Sequence, residues 1–362
     1  QNKVLRSEYF IGLPDMIINF FTFIAKDVRY WLAKLGVKSL EEIIGRTDLI
    51  EILPGETKRQ SSLDLRPIID SDGLTKNKPR FCSAPGNDPY DKGELAETIL
   101  KETLSCIKDK TGGEFFFDIY NNNRSIGAKL SGEIARLNGG KGISDAPIYL
   151  NLKGTAGQSL GAFNVEGLNI NLTGDANDYV GKGMGGGRIT IKPPENRKFL
   201  PSETVIIGNT CLYGATGGKL FASGQAGERF AVRNSGAVSV IEGAGDHCCE
   251  YMTDGVVVVL GPTGLNFGAG MTGGFSYVLD LDRKFVDLYN HELIDIHRIT
   301  PENMEAHAHH LRSLISDHYE ATESDVAQEI LQDYRSFLSK FWVVKPKASE
   351  LGSLIASLRD AA

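Results

Sequence analysis

The chain has 362 residues, is 41% hydrophobic and 23% charged, and carries a formal net charge of −7. That length allows two or three domains, and the composition is that of a folded chain rather than a disordered one. The acidic balance excludes a broad basic surface for nucleic acid, and no run of about twenty apolar residues offers a membrane span, so neither partner is expected.

The five cysteines, Cys82, Cys106, Cys211, Cys248 and Cys249, are odd in number and form no CxxC pair. They read as packed thiols in a reducing compartment, the cytoplasm. The chain starts at Gln1 rather than Met, which reads as a fragment or processed product.

Residues 1–53 are expected to be helical. Pro14 suits the first helical turn, Ile17, Phe20, Phe21, Ile24, Val28, Trp31, Leu32 and Leu35 share one face, and Gly36 supplies the stop. Ser39 and Glu42 have the spacing of a capping box for a second short helix ending at Gly45. Two such helices cannot bury their apolar faces on each other alone. They read as the end of a larger domain.

Residues 54–110 are punctuated by Pro and Gly and read as an ordered linker, with a helix over 93–107. The run Glu114 to Tyr120 predicts a buried strand, Asn121 to Gly127 a turn, and Gly132 to Leu137 a short helical or strand turn.

From Ile148 the chain repeats itself. Residues 148–167 set above residues 168–187 match at Asn151/Asn171, Leu152/Leu172, Gly154/Gly174, Ala156/Ala176, Gly161/Gly181 and Gly167/Gly187. A period near twenty is too short for a helical pair and suits one turn of a β-solenoid, whose units bury apolar faces only by stacking. Glycine is needed where φ is positive or where one unit lies against the next.

Looser echoes follow: Gly214 and Gly217 against Gly261 and Gly264, and Gly224 and Gly227 against Gly270 and Gly273. All fourteen of these glycines are expected to serve shape. Strand-like runs lie at 188–191, 204–207, 230–232, 238–241, 256–260 and 275–278, with no helices between them to make βαβ units. After residue 282 helix returns: Thr300-Pro301 as a start, 304–315, 325–341, and a tail at 351–358. The expected fold is mainly β, a right-handed β-helix over 111–290 flanked by N- and C-terminal α-helices, the latter at 291–362.

Three clusters invite chemistry. Gly181-Lys-Gly-Met-Gly-Gly186 spells GxGxxG, yet a strand and two prolines follow where a pyrophosphate needs a helix N-terminus. Asp246-His-Cys-Cys-Glu250 is dense in ligand types, but adjacent residues of an extended chain face opposite ways. His307, His309 and His310, with His318 downstream, read as a surface cluster without the carboxylate of a zincin-like site. No catalytic, cofactor-binding or metal-binding residue is therefore assigned.

Laid side by side, several stretches are similar to the C-terminal part of glutamate synthases, either the large subunit or the single-chain ferredoxin-dependent enzyme. They are Asn19 to Ala25 with Leu40 to Leu49, Asn122 to Ala135, Gly181 to Arg188, Gly208 to Gly218, Arg229 to Ala237, and Gly245 to Met252. The first pair resembles the end of that family's FMN-binding barrel, and the rest resemble its glycine-rich GXGXG domain.

The resemblance implies a structural part of an enzyme that makes glutamate from glutamine and 2-oxoglutarate. Its partners would be the glutaminase and FMN-barrel parts, and an NADPH-oxidising small subunit or ferredoxin. FMN and an iron–sulfur cluster would lie outside this chain, since no cysteine here has the cluster spacing. One alternative is a standalone β-helix interaction protein of an oxidoreductase complex, like the glycine-rich component of formylmethanofuran dehydrogenase, and the helices at 1–53 argue against it. The other, a carbohydrate-active β-helix enzyme, lacks acidic residues on matched positions.

Overall fold

The computed structural model describes residues 11–55, 57–70, 79–83, 93–300, 304–352, 354 and 355. It divides into two compact units, Gln1–Tyr90 and Asp91–Ala362.

The first unit holds α1 (Pro14–Leu35) and two short helices, α2 (Lys58–Ser61) and α3 (Arg66–Ile69). Helix α1 starts on Pro14 and stops at Gly36, whose φ of 73° returns its N–H to the Ala33 carbonyl, as a C′ glycine should. The predicted second helix is absent: residues 41–45 form turns. Glu42 caps the Lys38 N–H instead of completing a box with Ser39. Leu32 is the one buried residue of α1, while Ile17, Phe20, Phe21, Ile24 and Trp31 are exposed.

The second unit is built on a twelve-stranded sheet. Its elements, in order, are α4 (Glu94–Asp109), β1 (Gly113–Ile119), α5 (Ala128–Asn138), β2 (Ile148–Ala156), β3 (Leu168–Ala176) and β4 (Gly185–Lys192). Next come β5 (Val205–Ile207), β6 (Gly217–Ala222), β7 (Gln225–Ala226), β8 (Ser235–Ile241), β9 (Thr253–Val259) and β10 (Gly273–Leu279). Then follow β11 (Ile294–Arg298), α6 (Glu305–Thr322), α7 (Asp325–Gln332), α8 (Tyr334–Leu338) and β12 (Phe341–Pro346).

The main ladder runs β1-β2-β3-β4-β6-β8-β9-β10 and is parallel throughout. Ile148 stands opposite Leu168 and Ala156 opposite Ala176, the twenty-residue register of the repeat. Later registers are Ile170 to Ile189, Leu220 to Ser239, Val240 to Val258 and Val258 to Tyr277. From β2 onward the spacing stays near nineteen except between Ile189 and Leu220, where an insertion after β4 lengthens it to 31; β1 and β2 are 35 apart, Gly113 opposite Ile148. A second parallel ladder keeps the same spacings, through Ala176, Ile207, Ala226, Ala244 and Thr263.

A mixed α/β architecture results, with a large and mostly parallel sheet, and so the expectation of a mainly β chain is too narrow. Residues 291–362 are also less helical than expected. β12 and β11 close the sheet in antiparallel fashion, and the helix expected over 325–341 breaks at Asp333 into α7 and α8 before β12 begins. Helix α6 starts at Glu305, while Pro301 of the predicted start lies outside the described residues, as does half of the predicted tail at 351–358.

Burial explains which strands alternate and which do not. In β2 and β3, Ile148, Leu150, Leu152, Leu168, Ile170 and Leu172 face one core, while Tyr149, Asn151, Asn169 and Asn171 face the other way, half-buried. Val256 to Val259 of β9 are all buried, because their second face packs under α6 and α7 with Phe275, Tyr277, Leu311, Ile315 and Ile330. Each such side chain contributes on the order of 1.5–3 kcal/mol. A strand covered on both faces reads as a solid apolar run.

Candidate functional site

The corners of the repeat are more regular than the sequence suggests. In each unit three residues, spaced two apart, have left-handed φ: Ser159, Gly161 and Phe163, then Tyr179, Gly181 and Gly183, then Thr210, Leu212 and Gly214. Arg229, Ala231 and Arg233 continue the series, followed by His247, Cys249 and Tyr251, and by Asn266, Gly268 and Gly270. Outer members donate their N–H forward, as Tyr179 does to Asn209 and Gly183 to Tyr213, and the middle member donates backward, as Gly181 does to Leu160. These bonds offset the cost, about 1–2 kcal/mol each, of a non-glycine residue in this conformation.

This arrangement places the candidate motifs. Gly181 and Gly183 are two corner positions and Gly185 opens strand β4. No helix follows, so the GxGxxG spelling makes no pyrophosphate seat. The predicted strand at 230–232 is a corner too, with Ala231 at φ 58°. Asp246 to Glu250 form the fifth corner: His247 and Cys249 are left-handed, Cys248 and Cys249 are buried free thiols, and burial raises the Cys248 pKa. Among the described residues no group of three His, Cys, Asp or Glu side chains is arranged to hold a metal ion.

Of the fourteen glycines singled out, a Cβ at any but Gly214 would come within 3.0 Å of a non-neighbouring atom. For Gly154, Gly174, Gly187, Gly261 and Gly273 that atom is a carbonyl oxygen of an adjoining unit, and for Gly167 the nearest is the Ile143 backbone. Gly161, Gly181, Gly224 and Gly270 lie against side chains; Gly217 lies against the Gly185 backbone, and Gly227 and Gly264 against Asn209 and Asp246. The later echoes align differently from their spelling. Ladder positions Ile207, Ala226, Ala244 and Thr263 precede Gly208, Gly227, Gly245 and Gly264, so Gly264 is equivalent to Gly227 rather than to Gly217.

The expected surface cluster holds only for His309, which is exposed; His310 is half-buried. His307 and His318 are buried, and Tyr277 Oη lies 3.0 Å from His307 Nδ1 and 3.1 Å from His310 Nδ1. His307 Nε2 faces the Leu351 carbonyl at 3.2 Å, so it carries the proton and Nδ1 accepts from Tyr277, which in turn accepts from His310. Burial lowers the pKa of His307, and burial followed by the charge of His307 pushes His310 down to about 4. His318 Nε2 lies 3.4 Å from the buried Glu242 carboxyl, which also accepts from Ser324 Oγ. Ser324 in turn caps α7 through the Ala327 N–H.

Sequence reasoning missed that cluster, and it missed a polar groove of about 610 Å³ between α6 and the outer face of β2, β3, β4 and β6. Asn151, Asn171, Thr190, Arg188, Lys192 and Lys219 line its floor, and Asp317 and Glu320 its wall. Asn171 donates to Asn151 Oδ1 at 2.9 Å, and Lys219 pairs with Asp317 at 3.1 Å. The signal available was register: Arg188 stands opposite Lys219 on the neighbouring strand.

In-register parallel strands, paired ladders and repeated left-handed corners define a stacked-repeat architecture in which a Cβ at most of these glycines would meet an adjoining unit. The chain belongs to the GXGXG motif family, whose model matches residues 94–347. It is 46% identical over 354 residues to ferredoxin-dependent glutamate synthase 2 of Synechocystis sp., covering 97% of this chain and 22% of that protein. Against the ferredoxin-dependent glutamate synthase of Pyropia yezoensis it is 47% identical over 347 residues, 96% of this chain and 22% of the relative. The glutamate synthase [NADH] of Schizosaccharomyces pombe is 42% identical over 96% of this chain and 16% of its own length. The chain thus spans about a fifth or less of the length of these curated relatives, and in the two ferredoxin-dependent enzymes the matched region is the C-terminal part.

Proposed function

We propose that this chain is the C-terminal scaffold of a glutamate synthase, an enzyme making L-glutamate from L-glutamine and 2-oxoglutarate with electrons delivered through FMN and an iron–sulfur cluster. The observation that carries the reading is identity above 40% along 96–97% of the chain to proteins bearing that name. The match runs through residues 1–90 as well as the repeats, which disfavours a free β-helix subunit. Residues 1–53 are read as the end of the FMN-binding barrel, 54–110 as linker, 111–290 as a right-handed β-helix and 291–362 as its C-terminal cap. Two parallel ladders with shared spacing support the β-helix, and parallel crossovers are right-handed in nearly all cases. The exposed apolar face of α1 fits burial against the rest of a barrel. No catalytic or cofactor residue is assigned to this chain, and its glycines serve stacking. Glutaminase and barrel parts of the enzyme are the expected partners, with ferredoxin or a nicotinamide-oxidising subunit as electron source.

The test is a chimera in which this chain replaces the matched segment of the Synechocystis enzyme. Ferredoxin-driven glutamate formation from glutamine should persist near the parental rate, and a folded but inactive chimera would refute the reading.

A further inference from the structure

The groove over β3, β4 and β6 has features that a purely structural surface does not need. Arg188 and Lys219 are register partners on adjacent parallel strands, so two cationic side chains leave neighbouring backbones about 4.8 Å apart. Like charges placed directly opposite are unfavourable. Lys219 is relieved by Asp317 of α6 at 3.1 Å, and Lys192, further along β4, by Glu323 at 3.1 Å. Arg188 has no ion-pair partner among the described residues, and its Nε is buried without a hydrogen bond. Two residues on, and therefore on the same face, Thr190 is 5% exposed and its Oγ1 also lacks a partner among the described residues. Both line the groove.

A buried donor left unmade costs more than a made one contributes, and a guanidinium fork with a hydroxyl beside it matches the two oxygens of a carboxylate. The groove's volume falls within the range of small-molecule sites. Its wall bears Asp317, paired with Lys219, and Glu320, and so Glu320 would repel a second negative charge on the ligand. From these residues we propose that the groove binds a small organic carboxylate whose remainder is neutral or cationic, with the carboxylate held by Arg188 and Thr190. This goes beyond the scaffold reading and stands or falls independently of it.

The test uses the full 362-residue chain uniformly labelled with ¹⁵N, and follows the Arg188 Nε–Hε resonance on titration with β-alanine, propionate, succinate and inorganic phosphate. β-Alanine and propionate should shift it with dissociation constants of about 10 mM or tighter, the range open to one charge-assisted pair. Succinate and phosphate should bind more weakly. Arg188→Gln should abolish the response read from the Lys219 and Asn171 amide signals, and Thr190→Val should weaken it about tenfold, with circular dichroism unchanged. Should Arg188→Gln fail to fold, Thr190→Val and the ligand ranking still decide. The proposal is overturned if the four probes leave the resonance unmoved, if phosphate or succinate binds as well as propionate, or if Thr190→Val binds like the parent.

Discussion

Replacing Gly174 by alanine should be among the most damaging methyl additions in the chain. Its Cβ would sit 1.7 Å from the Gly154 carbonyl oxygen, where ordinary contact needs more than 3 Å. That oxygen belongs to the main chain of β2, paired in register with β3 from Ile148/Leu168 to Ala156/Ala176. Relief requires parting the two strands by about 1.5 Å at a ladder spaced about 4.8 Å. Two or three ladder bonds at about 1 kcal/mol each would weaken, with overpacking strain of about 1–3 kcal/mol besides. A loss of roughly 3–6 kcal/mol follows, which at two to four degrees per kcal/mol lowers Tm by about 6–24 °C.

The matched control is Gly132→Ala, an exposed position inside α5 with nothing within 4 Å of the added methyl. It should stabilise by about 1 kcal/mol through helix propensity. Thermal unfolding is best read in a Trp31→Phe background, so that Trp342, the remaining tryptophan, reports the second unit. If Gly174→Ala melts within about 1 °C of its parent, contact between units does not dictate the glycines and the reasoning fails.

Ser324→Ala removes both the α7 cap and a donor to buried Glu242, so it should cost about 2–4 kcal/mol in urea unfolding; a loss below about 0.5 kcal/mol would contradict the network. Stability should also fall with acidity. His310 and His307 have folded-state pKa values depressed below the ordinary 6.5, so the unfolded chain binds more protons there. Their contribution is full above about pH 6.5 and is lost as pH falls towards about 4. His310→Gln should flatten the stability profile between pH 4 and 6.5, read by urea midpoints at fixed ionic strength, and an unchanged slope would refute the assignment.

The stacking was legible because it repeats in one dimension. Asn151/Asn171 and Gly154/Gly174 are twenty apart in sequence and adjacent in the ladder, so spelling and structure carry the same information. Where an insertion separates Ile189 from Leu220 the spelling loses phase, and the echo of Gly217 by Gly264 pairs positions that do not correspond. Corners were misread as strand at 230–232 because left-handed φ at Ala231, Leu212 and Cys249 is imposed by bonds to neighbouring units, and no local propensity announces it. His307 and His310 read as exposed because their partner, Tyr277, is about thirty residues away on β10. Likewise, Arg188 and Lys219 become a groove only after α6 has crossed the sheet.

The register itself is open to a direct measurement by disulfide trapping. Paired residues of parallel strands lie within the Cα separation a disulfide spans, and a slip by one residue turns the side chain to the opposite face. In a Cys82→Ser background, Asn151→Cys with Asn171→Cys should oxidise to the intramolecular bond under mild conditions, identified by peptide mass. Asn151→Cys with Leu172→Cys should remain reduced. Equal oxidation of both pairs, or preference for the second, would contradict a chain of units stacked in a twenty-residue register.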